Sequence, residues 1–160
     1  MAGYKDAEMY RQTKTILLEA GQFFQAQDDF IDCFGDPEVS GKIGTDIQDG
    51  KCSWLAVVAL QRCTEKQRQI MLDCYGHHGK QNTNRQFIQS LLTIAFCLIL
   101  DPEKIQRVKD LYEELLIPQT YAVYEEESYK IILTHIQQIS SPLSHELFFK
   151  ILEKIYRRNA

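Results

Sequence analysis

The sequence predicts an all-α protein, and three observations carry that expectation. Apolar residues recur at three- and four-residue steps, the spacing that lines one face of a helix. No stretch alternates apolar and polar side chains as a half-buried strand would. Glycine, proline and hydroxyl residues fall between the periodic stretches, where they stop one helix or start the next.

Taken in order, the first helix is expected from about Asp6 through Phe34, with Ile16, Leu17, Phe23, Phe24, Phe30 and Ile31 as its apolar positions. Gly35 and Pro37 end it, the one by its backbone freedom and the other by its missing N–H. Asp36 to Gly50 holds Gly41, Gly44 and Gly50 without apolar periodicity, and reads as a loop whose backbone can approach a ligand closely. Helices follow at Cys52 to Arg62, with Trp54, Leu55, Val58 and Leu60 apolar, and from Thr64 as N-cap to Tyr75 before Gly76. Gly79 to Leu100 closes on fourteen mostly apolar residues, FIQSLLTIAFCLIL. That run is too short for a membrane span of about twenty residues and suits a buried helix or an adhesive appendage. Asp101 and Pro102 then start a helix to Leu116, Pro118 another to about Ile139, and Pro142 to Ser144 introduce the last, His145 to Tyr156.

Composition narrows the function classes. A chain of 160 residues buries roughly two-thirds of its unfolded surface, enough for one core, so residues 1–160 read as one domain. With 18 basic and 22 acidic residues the net charge is −4, which offers no general attraction to nucleic acid or an anionic membrane. Any anion site must be local. The five cysteines are odd in number and contain no C-x-x-C pair, which argues against a disulfide framework and a zinc site. The N-terminus has no apolar signal core and carries acidic residues, so the expected location is cytoplasmic.

One stretch, Phe23 to Trp54, carries chemistry. On a helix Asp28 and Asp32 lie one turn apart on the same face with Asp29 beside them, so their carboxylates can converge on a cation. Clustered like charges repel, and Mg²⁺ would offset that repulsion while sharing its shell with phosphate oxygens. The glycine-punctuated loop brings two lysines, Lys42 and Lys51, as countercharges. A solvated acidic helix face and a surface connector are the plainer readings of the same residues. Elsewhere, His77 and His78 are adjacent and read as a surface loop, and Glu125 to Glu127 as a solvated helix face. Arg157 and Arg158 read as cations at a helix C-terminus.

Gln25, Asp28, Asp29 and Asp32, then Lys42 in Gly-Lys-Ile-Gly-Thr-Asp, then Lys51 before Cys-Ser-Trp, resemble the second aspartate-rich motif of trans-isoprenyl diphosphate synthases. In wording the stretch is similar to farnesyl diphosphate synthases, of the polyprenyl synthetase family. The resemblance covers the chain outside Gly79 to Leu100, which reads as an insertion, and corresponds to the C-terminal part of a family member. It implies a partial isoprenoid-synthase helical bundle and a Mg²⁺-dependent prenyltransferase that joins isopentenyl diphosphate to an allylic diphosphate, dimethylallyl or geranyl. It further implies a homodimer as the family's assembly.

By the same resemblance, Asp28, Asp29 and Asp32 would hold the metal, and Lys42 and Gln25 would be catalytic. Lys42 and Lys51 would neutralise the leaving diphosphate, and Arg158, in the basic tail with Arg157, would contact the isopentenyl diphosphate. Asn159 and Ala160 depart from the family's basic tail. The chain holds a single Asp-Asp-x-x-Asp, whereas the family places a second on the opposite wall, so the expectation is that it is inactive alone. A non-catalytic helical interaction module derived from the same fold is the competing reading.

Overall fold

Asp6 opens the first helix by accepting the backbone N–H groups of Glu8 at 2.9 Å and Met9 at 3.4 Å, donors that the first turn otherwise leaves unsatisfied. A computed structural model describes residues 6–41, 43–76, 102–139 and 145–156. The first helix, α1 (Ala7–Phe34), runs 28 residues and ends where Gly35 donates back to the Ile31 carbonyl. Met9, Ile16, Ala20, Phe23 and Ile31 are buried, which is the expected helical periodicity. Leu17 and Phe24, expected on the apolar face, are exposed, because each lies one residue past a buried position and so a hundred degrees round the helix.

The segment read as a loop contains two single-turn helices. Asp36 caps α2 (Pro37–Ser40) by accepting from the Glu38 N–H, and Pro37, read as a stop for α1, is also the start of α2. Gly41, at φ 70°, closes it. The second, α3 (Asp46–Asp49), closes on Gly50 at φ 64°. One turn is too short to show a period, which is why neither is visible as a pattern.

Ser53 caps α4 (Trp54–Arg62) through its Oγ and the Ala56 N–H. Thr64 and Gln67 form a reciprocal capping box on α5 (Glu65–Cys74). The next helix, α6 (Pro102–Glu114), gives way to α7 (Ile117–Gln137) through Leu116, whose φ of 55° breaks the helical run without a glycine. The last described helix is α8 (His145–Ile155). Among the described residues there are eight helices and no strand. No described helix is long and apolar enough to cross a membrane. The expected insertion, Gly79 to Leu100, lies outside the described residues.

The chain divides into two compact units. One comprises Met1–Asp28 with Gln119–Ala160, and its core is Ile16, Ala20, Phe23, Ile132, Ile136, Ile139, Phe148 and Leu152. There the Gln27 amide donates to the Ile155 carbonyl at 2.9 Å, and Tyr156 stacks on Tyr129 with ring centroids 3.9 Å apart. Tyr156 also donates to Glu126 at 2.6 Å and Tyr121 to Glu125 at 3.3 Å, so this acidic run is not simply the solvated face expected of it.

The other unit is Asp29–Pro118, and its core includes Cys33, Ile47, Leu55, Ala59, Met71, Val108, Leu111, Tyr112 and Ile117. Each such large side chain, fully buried, contributes about 1.5 to 3 kcal/mol. Burial pushes the Cys33 thiol from 9.0 up to about 12, and burial also raises Tyr75 and Tyr112. The folded state therefore holds these protons to higher pH than the unfolded state. The stability this brings is complete below pH 9 and is lost as pH rises towards 12. Between pH 9 and 10.5 the thiol alone should cost about 2 kcal/mol in urea unfolding. A Cys33→Ala variant should show a shallower decline over that interval; an identical decline would exonerate the thiol.

Candidate functional site

Within the Asp29–Pro118 unit, the last turns of α1 meet the loop that carries α3 and the start of α4. Asp29 is only 3% exposed. Its Oδ2 accepts the Trp54 backbone N–H at 2.7 Å, in the first turn of α4, where N–H groups lack intrahelical partners. Its Oδ1 lies 2.8 Å from the Lys51 ammonium. Asp46 approaches the same ammonium at 2.8 Å through Oδ2. Burial of Lys51 opposes its charge, but hydrogen bonds and charges from Asp29 and Asp46 outweigh this and hold the ammonium above its ordinary pKa.

Asp32, nearly one turn beyond Asp29 on α1, accepts the Asp46 N–H at 2.9 Å and the Thr45 N–H at 3.3 Å. The loop thus hangs from α1 by a carboxylate. Gly44 makes this possible, since a Cβ there would sit 1.7 Å from the Asp32 carbonyl oxygen. Further support comes from α5. The Tyr75 hydroxyl donates to the Lys51 carbonyl at 2.7 Å and lies 3.2 Å from Ser53 Oγ, and the Gly76 N–H donates to the Ile47 carbonyl at 2.9 Å. Gly50 and Gly76 touch through their backbones, because a Cβ on either would meet the other's Cα at 2.8 Å.

The electrostatics are those of a crowded acidic cluster sharing one ammonium. Burial raises the Asp46 pKa, and the charges of Asp32 and Asp29 raise it further against the opposing effect of Lys51. The described structure therefore brings together Asp29, Asp32 and Lys51 of the expected site residues. It adds Asp46, to which sequence reasoning gave no role, although it stands in the Gly-Thr-Asp of the quoted motif, five residues before Lys51. Asp28 is half-buried and Gln25 exposed, and both belong to the other unit. Lys42 and Arg158 lie outside the described residues. No three His, Cys, Asp or Glu side chains among the described residues are gathered in a metal-holding group. Both oxygens of Asp29 are committed to protein donors. Those of Asp32 accept only backbone N–H groups and keep further lone pairs.

A family model described as polyprenyl synthetase matches residues 1–114. The chain belongs to that family. Among its curated polyprenyl synthetase relatives, a farnesyl pyrophosphate synthase of Nezara viridula is 48% identical over 158 residues and one of Homo sapiens 45% identical. Each comparison covers 99% of this chain but only 34% and 32% of those relatives. This polyprenyl synthetase chain therefore spans about a third of the length of the curated relatives it matches. A solved structure of T. Brucei farnesyl diphosphate synthase complexed with homorisedronate matches with a TM-score of 0.75 and 32% identity, over 93% of this chain and 37% of that one. The fold is accordingly the all-α isoprenoid synthase fold, as expected.

Proposed function

We propose that this chain carries one wall of a Mg²⁺-dependent prenyl-transfer site of the farnesyl diphosphate synthase kind, in which isopentenyl diphosphate is joined to dimethylallyl or geranyl diphosphate. The observation that supports it best is the glycine loop suspended from Asp32, with Lys51 held at its end between Asp29 and Asp46. The names of the relatives and their identity to this chain support the same reading.

The carboxylates suit Mg²⁺, which takes one or two of them and otherwise keeps waters and phosphate oxygens. By the spacing of the motif, Asp28 and Asp32 are the pair that falls one helical turn apart. Asp29, buried and bonded twice, is better placed to organise the loop than to ligate. When bound, the metal would stabilise the charge that develops on a departing diphosphate. Lys51 would add a point charge to the same diphosphate, Lys42 another, and Gln25 a hydrogen bond. Arg158 would meet the isopentenyl diphosphate.

The motif carries four carboxylates, Asp28, Asp29, Asp32 and Asp46, against two lysines, Lys42 and Lys51, so it should repel bare pyrophosphate. Calorimetry should therefore show pyrophosphate binding at millimolar strength with Mg²⁺ and none after chelation. An Asp28→Ala variant should bind about tenfold or more weakly, since a charged contact is worth about 1.5 to 3 kcal/mol. Equal heats for variant and parent would sink the assignment.

The 160-residue chain alone should release no C15 product from labelled isopentenyl diphosphate, geranyl diphosphate and Mg²⁺. It contains one Asp-Asp-x-x-Asp, and transition-state stabilisation of this kind is worth about 3 to 4 kcal/mol per donor removed. Turnover above that of an Asp28→Ala control would refute this part of the proposal.

A further inference from the structure

Asp46 has no part in the mechanism just described, yet it is bound to Lys51 twice. Its Oδ2 meets the ammonium at 2.8 Å, and its carbonyl accepts the Lys51 backbone N–H at 3.1 Å. The Asp46 N–H is in turn held by Asp32. An exposed ion pair with these distances would contribute little, because solvent competes for both partners. This one is not exposed: the Asp29 side chain is 4% accessible and that of Asp46 13%, against 39% for Lys51. An ammonium has three N–H donors in fixed tetrahedral directions. Two are taken by carboxylates on different elements, α1 and α3, and so the direction of the third follows.

We infer that Asp46 is a positioning residue, closing with Asp29 a two-carboxylate clamp that fixes the Lys51 ammonium and aims its third N–H at the diphosphate, an inference that rests on the function proposed above. Reductive methylation of the folded chain, read lysine by lysine with mass spectrometry, tests the clamp directly. In Asp46→Ala, Lys51 should be labelled about fivefold faster than in the parent while the other lysines keep their rates. Asp49→Ala removes the same charge from the same helix without touching Lys51, and should leave its rate unchanged. If Asp46→Ala does not fold, Asp46→Asn should give a smaller acceleration at Lys51 alone. An unchanged Lys51 rate in the folded variant, or equal acceleration by Asp49→Ala, overturns the clamp. Mg²⁺ with pyrophosphate should protect Lys51 in the parent and protect it less in Asp46→Ala. No protection in the parent would overturn the diphosphate reading and the aiming with it, whereas the labelling rates without pyrophosphate judge the clamp by themselves.

Discussion

Lys51→Ala is expected to destabilise the folded chain by about 3 kcal/mol at neutral pH, more than Asp29→Ala, although Lys51 is the more exposed partner. The asymmetry comes from what each substitution leaves behind. Removing the lysine takes from the Asp29 carboxylate, at 3% exposure, the ammonium that balances its charge, and leaves Asp46 beside it as a like charge. Removing Asp29 instead leaves an ammonium that still has Asp46 and can reach water. A Lys51→Ala, Asp29→Asn double variant should therefore recover half or more of the loss, because the buried charge goes with its partner. Urea unfolding of the parent, of Lys51→Ala, Asp29→Ala and Asp29→Asn, and of the double variant checks this. A double variant as unstable as the sum of the singles would show that the two residues act separately.

Gly44→Ala is expected to detach the loop. The added methyl carbon would lie 1.7 Å from the Asp32 carbonyl oxygen, and that obstacle is helix backbone, not the movable end of a side chain. Overpacking of this severity costs about 3 kcal/mol or more unless the segment moves away. The loop can move, and in doing so it surrenders the bonds from Thr45 and Asp46 to Asp32. Hydrogen exchange should show protection lost at those two amides, with the α4 and α5 amides protected as before, and pyrophosphate binding should vanish. Gly41→Ala, with open space around the Cβ but φ at 70°, should cost only about 1 kcal/mol and leave those amides protected. Intact protection in Gly44→Ala would mean that the loop does not depend on its close approach to α1.

The same residues show how much of this was legible beforehand. The span of α1, the Thr64 cap and the loop glycines are local signals, each written in one residue or one short period, and the structure places them within a residue or two of expectation. The family wording pointed to the family, which the comparisons show. What could not be read was the division of labour among the aspartates. Asp28, Asp29 and Asp32 look alike in sequence, and Asp29 becomes the buried one only because α4, beginning 25 residues later, presents its N-terminus there. Asp46 stood in plain view, but its partnership with Lys51 depends on a one-turn helix that no periodicity announces. Leu116 is similar: nothing about a leucine signals a left-handed backbone between two helices.

The backbone contact of Gly50 with Gly76 has a consequence for engineering. It anchors the chain at the very point where α5 ends, and α5 packs against α6 through side chains of the same core, Met71 and Cys74 with Val108, Leu111 and Tyr112. The end of α5 is thus held on two sides, by the glycine contact and by the core it shares with α6. A side chain at Gly50 or Gly76 would part these two backbones, so a redesign of the chain should keep both glycines.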